Sequence, residues 1–168
     1  MCRHFGRRSV LNMTSSPSNT PNRKLGLPLW GIVGLALLAA PRLVLHDLHL
    51  IEEGSFINSL FTFIPPIIWI GVAVLRRIHR PFLTLLTIGV VYGVILGAGH
   101  LIFWGQAFPD GAPQLGGNLS DVDPFFQGLI LRGFTLISSL VTGTLVGAVC
   151  GLISSGILAV LRPLGITR

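Results

Sequence analysis

Four apolar runs dominate this 168-residue chain, and none carries an acidic or basic residue at its centre. Ionic groups gather in the gaps instead, sorted by sign. Arg3, Arg7, Arg8, Arg23 and Lys24 precede the first run, Arg76, Arg77 and Arg80 share a short gap, and Arg162 and Arg168 close the chain. The six acids occupy two other gaps, Asp47, Glu52 and Glu53 in one and Asp110, Asp121 and Asp123 in the other. Successive membrane crossings leave this alternation, because Lys and Arg are retained on the cytoplasmic side. Arg42 and Arg132 are the exceptions, lying beside acid-bearing gaps at span ends.

Composition agrees. Only 11% of the residues are charged, against about 25% in soluble domains, so a water-facing surface cannot be clothed. With 51% hydrophobic residues the chain is equally unlike a disordered one. Two cysteines, Cys2 and Cys150, exclude a disulfide-stapled domain and a zinc ribbon. The net charge of +6 comes without aromatic-interleaved basic motifs, so a nucleic-acid partner is not expected.

The predicted fold is an all-α integral membrane protein with four transmembrane helices, both termini cytoplasmic, in the plasma (inner) membrane. Residues 1–24 read as a disordered basic cytoplasmic tail, with a low-complexity stretch from Thr14 to Asn22. Met13 is an alternative start that would place residues 1–12 outside the native protein. The membrane domain covers 25–162, with spans at about 25–45, 56–75, 82–104 and 129–161. Pro41 directly after Ala39-Ala40 argues against signal-peptide cleavage there. Pro65 and Pro66 predict a kink in the second span. The fourth run, about 50 Å if helical, reads as one long tilted helix. Residues 105–128, rich in Gly and Pro, form an irregular external loop, and 163–168 a cytoplasmic C-terminus.

Two stripes of small residues recur every fourth position: Gly89, Gly93 and Gly97 on the third helix, and Gly143, Gly147 and Gly151 on the fourth. Such stripes let backbones approach closely in lipid, so helices 3 and 4 are expected to pack through them. Pairing Gly93 with Gly147 would set His100 beside Ser138 and Ser139 as hydrogen-bond partners, and Arg132 within reach of Asp110.

Chemistry is sparse. If the first helix continues past its apolar run, His46, His49 and Glu53 share one face, and His100 lies at the same external end. Two imidazoles, a carboxylate and a third imidazole form a candidate set for a divalent metal or for proton handling. The bland alternative is a solvated interfacial cluster in which Arg42 pairs with an acid. No His-Glu-x-x-His run, phosphate loop or catalytic residue set is present, and no cofactor is required.

The expected function is therefore a non-enzymatic small membrane subunit or accessory factor, partnered by the bilayer and by another membrane protein or its own copies. A small oligomeric channel or transporter is the alternative. A metal- or proton-handling protein, with its site at the external ends of helices 1 and 3, is the third reading. A reporter fused after Arg168 should read cytoplasmic; an external signal would break the four-span count.

Overall fold

The computed structural model describes residues 25–163. The tail 1–24, the alternative start at Met13 and residues 164–168 lie outside the described residues. Among the described residues there is no strand; the elements are α1 (Leu29–Leu37), α2 (Ala40–Asp47), α3 (Phe56–Leu75), α4 (Pro81–Ile102), α5 (Trp104–Ala107) and α6 (Pro124–Leu161). Four stretches are long and apolar enough to cross a membrane: α1 with α2 (Leu29–Asp47), α3, α4 and α6.

The first stretch is broken between Leu37 and Ala40. Pro41 has no amide with which to continue the helical ladder, and the Ala39 amide donates to the Ala36 carbonyl in a tightened turn. The Leu35 carbonyl accepts instead from the indole N–H of Trp69 on α3, at 2.8 Å. Trp69 is completely buried, so one side chain both satisfies the break and ties α3 to α1.

Helix α3 starts at Ser55, whose hydroxyl accepts the Asn58 amide at 3.2 Å, and runs without interruption through Pro65 and Pro66. Helix α6 has 38 residues, about 57 Å. It begins at Pro124, inside the stretch expected to be loop. The Asp123 carboxylate accepts the Phe125 amide at 2.9 Å, and proline at the first helical position is preorganised for helix entry. The rest of that stretch contributes the end of α5 and a single 3-10 turn at Gly117–Leu119.

The most extensive helix contact joins α4 and α6, where backbone touches backbone. A Cβ built on Gly89 would collide with the Gly143 carbonyl oxygen and lie 2.6 Å from the Gly147 Cα. One on Gly143 would stand 2.5 Å from the Gly93 amide nitrogen, and one on Gly151 2.9 Å from the Phe82 Cα. Gly97 is nearest to Leu136 and Ser139. The register is thus not the one that pairs Gly93 with Gly147: Gly147 meets Gly89, and Gly93 meets Gly143 and Leu140. A small residue every four positions looks the same after a four-residue slip, so the pattern itself does not choose between registers.

A further glycine, off the stripe, seats α2. A Cβ on Gly99 would collide with the Leu43 side chain, and Leu43 is buried there. At the opposite end Thr84 on α4 donates its hydroxyl to the Leu25 carbonyl, tying the start of the described chain to the bundle.

Gly147→Ala should destabilise the protein by about 1–3 kcal/mol, the usual cost of overpacking, because its Cβ would sit 2.5 Å from the Leu85 carbonyl oxygen. Gly71→Ala, with nothing within 4 Å, should be neutral or stabilising by up to about 1 kcal/mol. Unfolding midpoints of both variants in detergent micelles make the comparison.

Candidate functional site

His46, Asp47, His49, Glu53 and His100 converge at the end of the bundle where α2, α4 and the 48–55 loop meet. Asp47, the last residue of α2, is only 2% exposed. Its placement follows from helical spacing: Ile32, Ala36, Ala39, Leu43 and Asp47 recur every three or four residues and all are buried. A buried carboxylate must be paired or neutralised, and Asp47 has an imidazole on each oxygen. His100 of α4 places Nδ1 2.8 Å from Oδ2, and the adjacent His46 places Nδ1 3.3 Å from Oδ1. His46 Nε2 lies 2.9 Å from the Glu53 Oε1. Both nitrogens of His46 thus face carboxylate oxygens, and an imidazole donates from both only when it is protonated.

The result is a chain of contacts, Glu53 to His46 to Asp47 to His100. It runs from a side chain 83% exposed to one buried at 2% and ends on another helix. The Glu53 carboxyl is held below its usual range, first by the hydrogen bond from His46 and then by the charge on that ring.

Helix α2 ends at Asp47 rather than continuing through Glu53. His49 adopts a left-handed backbone, φ 54°, and the Leu50 amide closes on the Leu45 carbonyl at 2.9 Å, a helix-terminating arrangement. His49 is consequently exposed at the rim, and the single helical face expected for His46, His49 and Glu53 does not form. Glu53 reaches His46 because the loop folds back. Among the described residues no group of three or more His, Cys, Asp or Glu side chains is arranged to hold a metal ion.

Three further expectations are corrected. His100 pairs with Asp47, not with Ser138 or Ser139; Ser138 donates to the Thr135 carbonyl. Arg42 donates Nε to the Asn58 side-chain oxygen at 3.0 Å, a neutral partner rather than an acid. Arg132 lies over the Trp104 ring, 5.0 Å from its centroid, a cation–π contact in place of an ion pair with Asp110.

The cluster lines a cleft of about 470 Å³. Arg42, His46, Asp47, His49 and Glu53 come from α2 and its loop, and His100 and Trp104 from α4 and α5. Helix α6 contributes only hydroxyls, on Thr135, Ser138, Ser139 and Thr142. Every ionisable group facing Asp47 across the cleft therefore belongs to the first or third apolar stretch or to the 48–55 loop. Such a site can accept, hold and pass a proton among carboxylates and imidazoles, and it can bind a polar molecule.

Comparison with protein-family models, with curated proteins and with solved structures finds no match for this chain.

A depressed carboxyl stabilises above the usual carboxylate range, and that contribution is lost as pH falls through the depressed value. Acidification should therefore release Glu53 from His46, seen as a step in the ring-nitrogen chemical shifts of His46. Glu53→Gln should abolish that acid step while leaving the helices intact.

Proposed function

We propose that the chain is a non-enzymatic, multi-pass accessory protein of the plasma (inner) membrane, with both termini cytoplasmic and a proton-responsive cleft facing outward. Alternating basic and acidic gaps support the orientation. The glycine stripes are its permanent seam, and the contact between α2 and α4 is its adjustable one. The carrying observation is Asp47, buried between imidazoles from two separate helices. A carboxylate in that position needs positive charge beside it, and histidine gains or loses that charge between about pH 5 and 8.

The direction follows. With charged imidazoles, Asp47 is ion-paired to α4 and α2 is clamped. Where the rings carry no charge, the buried carboxylate keeps hydrogen bonds but no counter-charge, and α2 loosens. Proton conduction across the bilayer has no support, because α4 before His100 and α6 after Arg132 carry no ionisable group except Tyr92 and Cys150. The site therefore works as a local sensor, passing its state to a partner through the position of α2.

Amide exchange in α2, corrected for its intrinsic pH dependence, should accelerate roughly tenfold from pH 5 to pH 8 in nanodiscs, about 1.4 kcal/mol of local opening. His100→Gln should flatten this dependence, since glutamine keeps a hydrogen bond to Asp47 but cannot carry the charge. A flat wild-type profile, or an unchanged one in His100→Gln, would overturn the reading.

A further inference from the structure

A second cavity lies beside the cleft. It is an apolar groove of about 530 Å³ between α3 and α6, lined by Phe61, Pro66, Ile67, Trp69, Val146 and Val149 among others. Arg42 and Thr142 border both cavities. The polar cleft and the apolar groove therefore adjoin at those two residues, and polarity changes there from imidazole and hydroxyl to hydrocarbon.

We propose that the two cavities form one binding site for a phospholipid: the phosphate lies at Arg42, the head group in the cleft and an acyl chain in the groove. The proposal takes from the functional reading only that the helices span a membrane, and it does not depend on the proton response.

Three observations carry it. Among the described residues Arg42 is the only Lys or Arg lining either cavity, and it stands at the junction, where the phosphate of a phospholipid separates head group from chains. Its Nε is held by Asn58 at 3.0 Å, so the guanidinium, the side chain best shaped to grip a phosphate, is oriented before a ligand arrives. The groove is also long enough for an acyl chain. From Thr142 to Ile153, both in its lining, α6 rises about 16 Å, about half of the hydrocarbon core.

Entry is open from the side. Phe63, Ile67, Leu145 and Val149 are 63%, 64%, 60% and 53% exposed, so a chain can slide in from the bilayer without the bundle opening. At the other end the hydroxyl oxygens of Thr135 and Ser138 and the second ring nitrogen of His100 offer hydrogen bonds to a polyol head group.

The test uses the full chain, delipidated in detergent and read by native mass spectrometry with three probes. These are phosphatidylglycerol, diacylglycerol with the same chains, and glycerol 3-phosphate. One phosphatidylglycerol should be retained per chain, with the other two at least about tenfold weaker, since each lacks half of the recognised chemistry. Arg42→Gln should lower phosphatidylglycerol retention about tenfold, to the diacylglycerol level. Val149→Trp, which fills the groove from an exposed position and leaves Arg42 untouched, should weaken both chain-bearing probes. Circular dichroism and unfolding midpoints identify variants that have kept their fold. Retention unaffected by either folded variant would mean unspecific surface lipid and overturn the proposal. Glycerol 3-phosphate binding as tightly as the lipid would overturn it too, in favour of a soluble phosphate ester. Should Arg42→Gln fail to fold, Val149→Trp with the three-probe ranking decides the matter.

Discussion

At the contact of α4 with α6 the two backbones lie closer than any side chain would permit. Atoms that glycine lacks would collide with the opposite helix at Gly89, Gly93, Gly143 and Gly147. Between apolar helices in lipid there is little hydrophobic drive, so van der Waals contact has to hold the pair, and its strength falls steeply with separation. This seam fixes the platform on which the rest is laid. Helix α2 docks on the same α4 by seating Leu43 over Gly99, and only then does Asp47, one turn further on, reach His100.

The acid–histidine cluster is the reverse kind of contact. The glycine seam holds no ionisable group, whereas each link from Glu53 to His100 joins a carboxylate to an imidazole. Burial of Asp47 raises the stakes: an unpaired buried carboxylate costs several kcal/mol, while the same group at the surface would cost little. An apolar backbone seam and a polar acid–histidine contact thus meet on α4.

Much of the architecture is legible in the chain, because apolar runs bounded by charged gaps are a composition signal that survives without knowledge of tertiary contacts. Helix α6 starts ahead of its apolar run, since Phe125 and Phe126 lie in a stretch whose glycines and prolines suggest loop; Asp123-Pro124 is the capping signal that marks it. Gly99 stands off the four-residue stripe, and its partner Leu43 belongs to another helix, so nothing local identifies it. Asp47 was legible in principle, one turn beyond Leu43 on the buried face of the first stretch. The break at Pro41 obscures that face, and an acid at a span end suggests solvent. The partners of His100 and Arg42 were hidden for a different reason. Both depend on how α2 and α3 sit against α4, which is decided by packing over the whole bundle.

Helix α2 has eight residues, lies between a helix break and a reversing loop, and carries Arg42 and Asp47 five residues apart. Such a short rigid rod cannot move one of them and leave the other in place. Any molecule gripped by Arg42 and any proton held by the histidines around Asp47 therefore share a single mechanical degree of freedom. Linkage then requires reciprocity: by whatever factor an occupant at Arg42 alters proton affinity, protonation alters that occupant's affinity by the same factor. Two chemically unrelated ligands would be weighed against each other on one lever of about 12 Å.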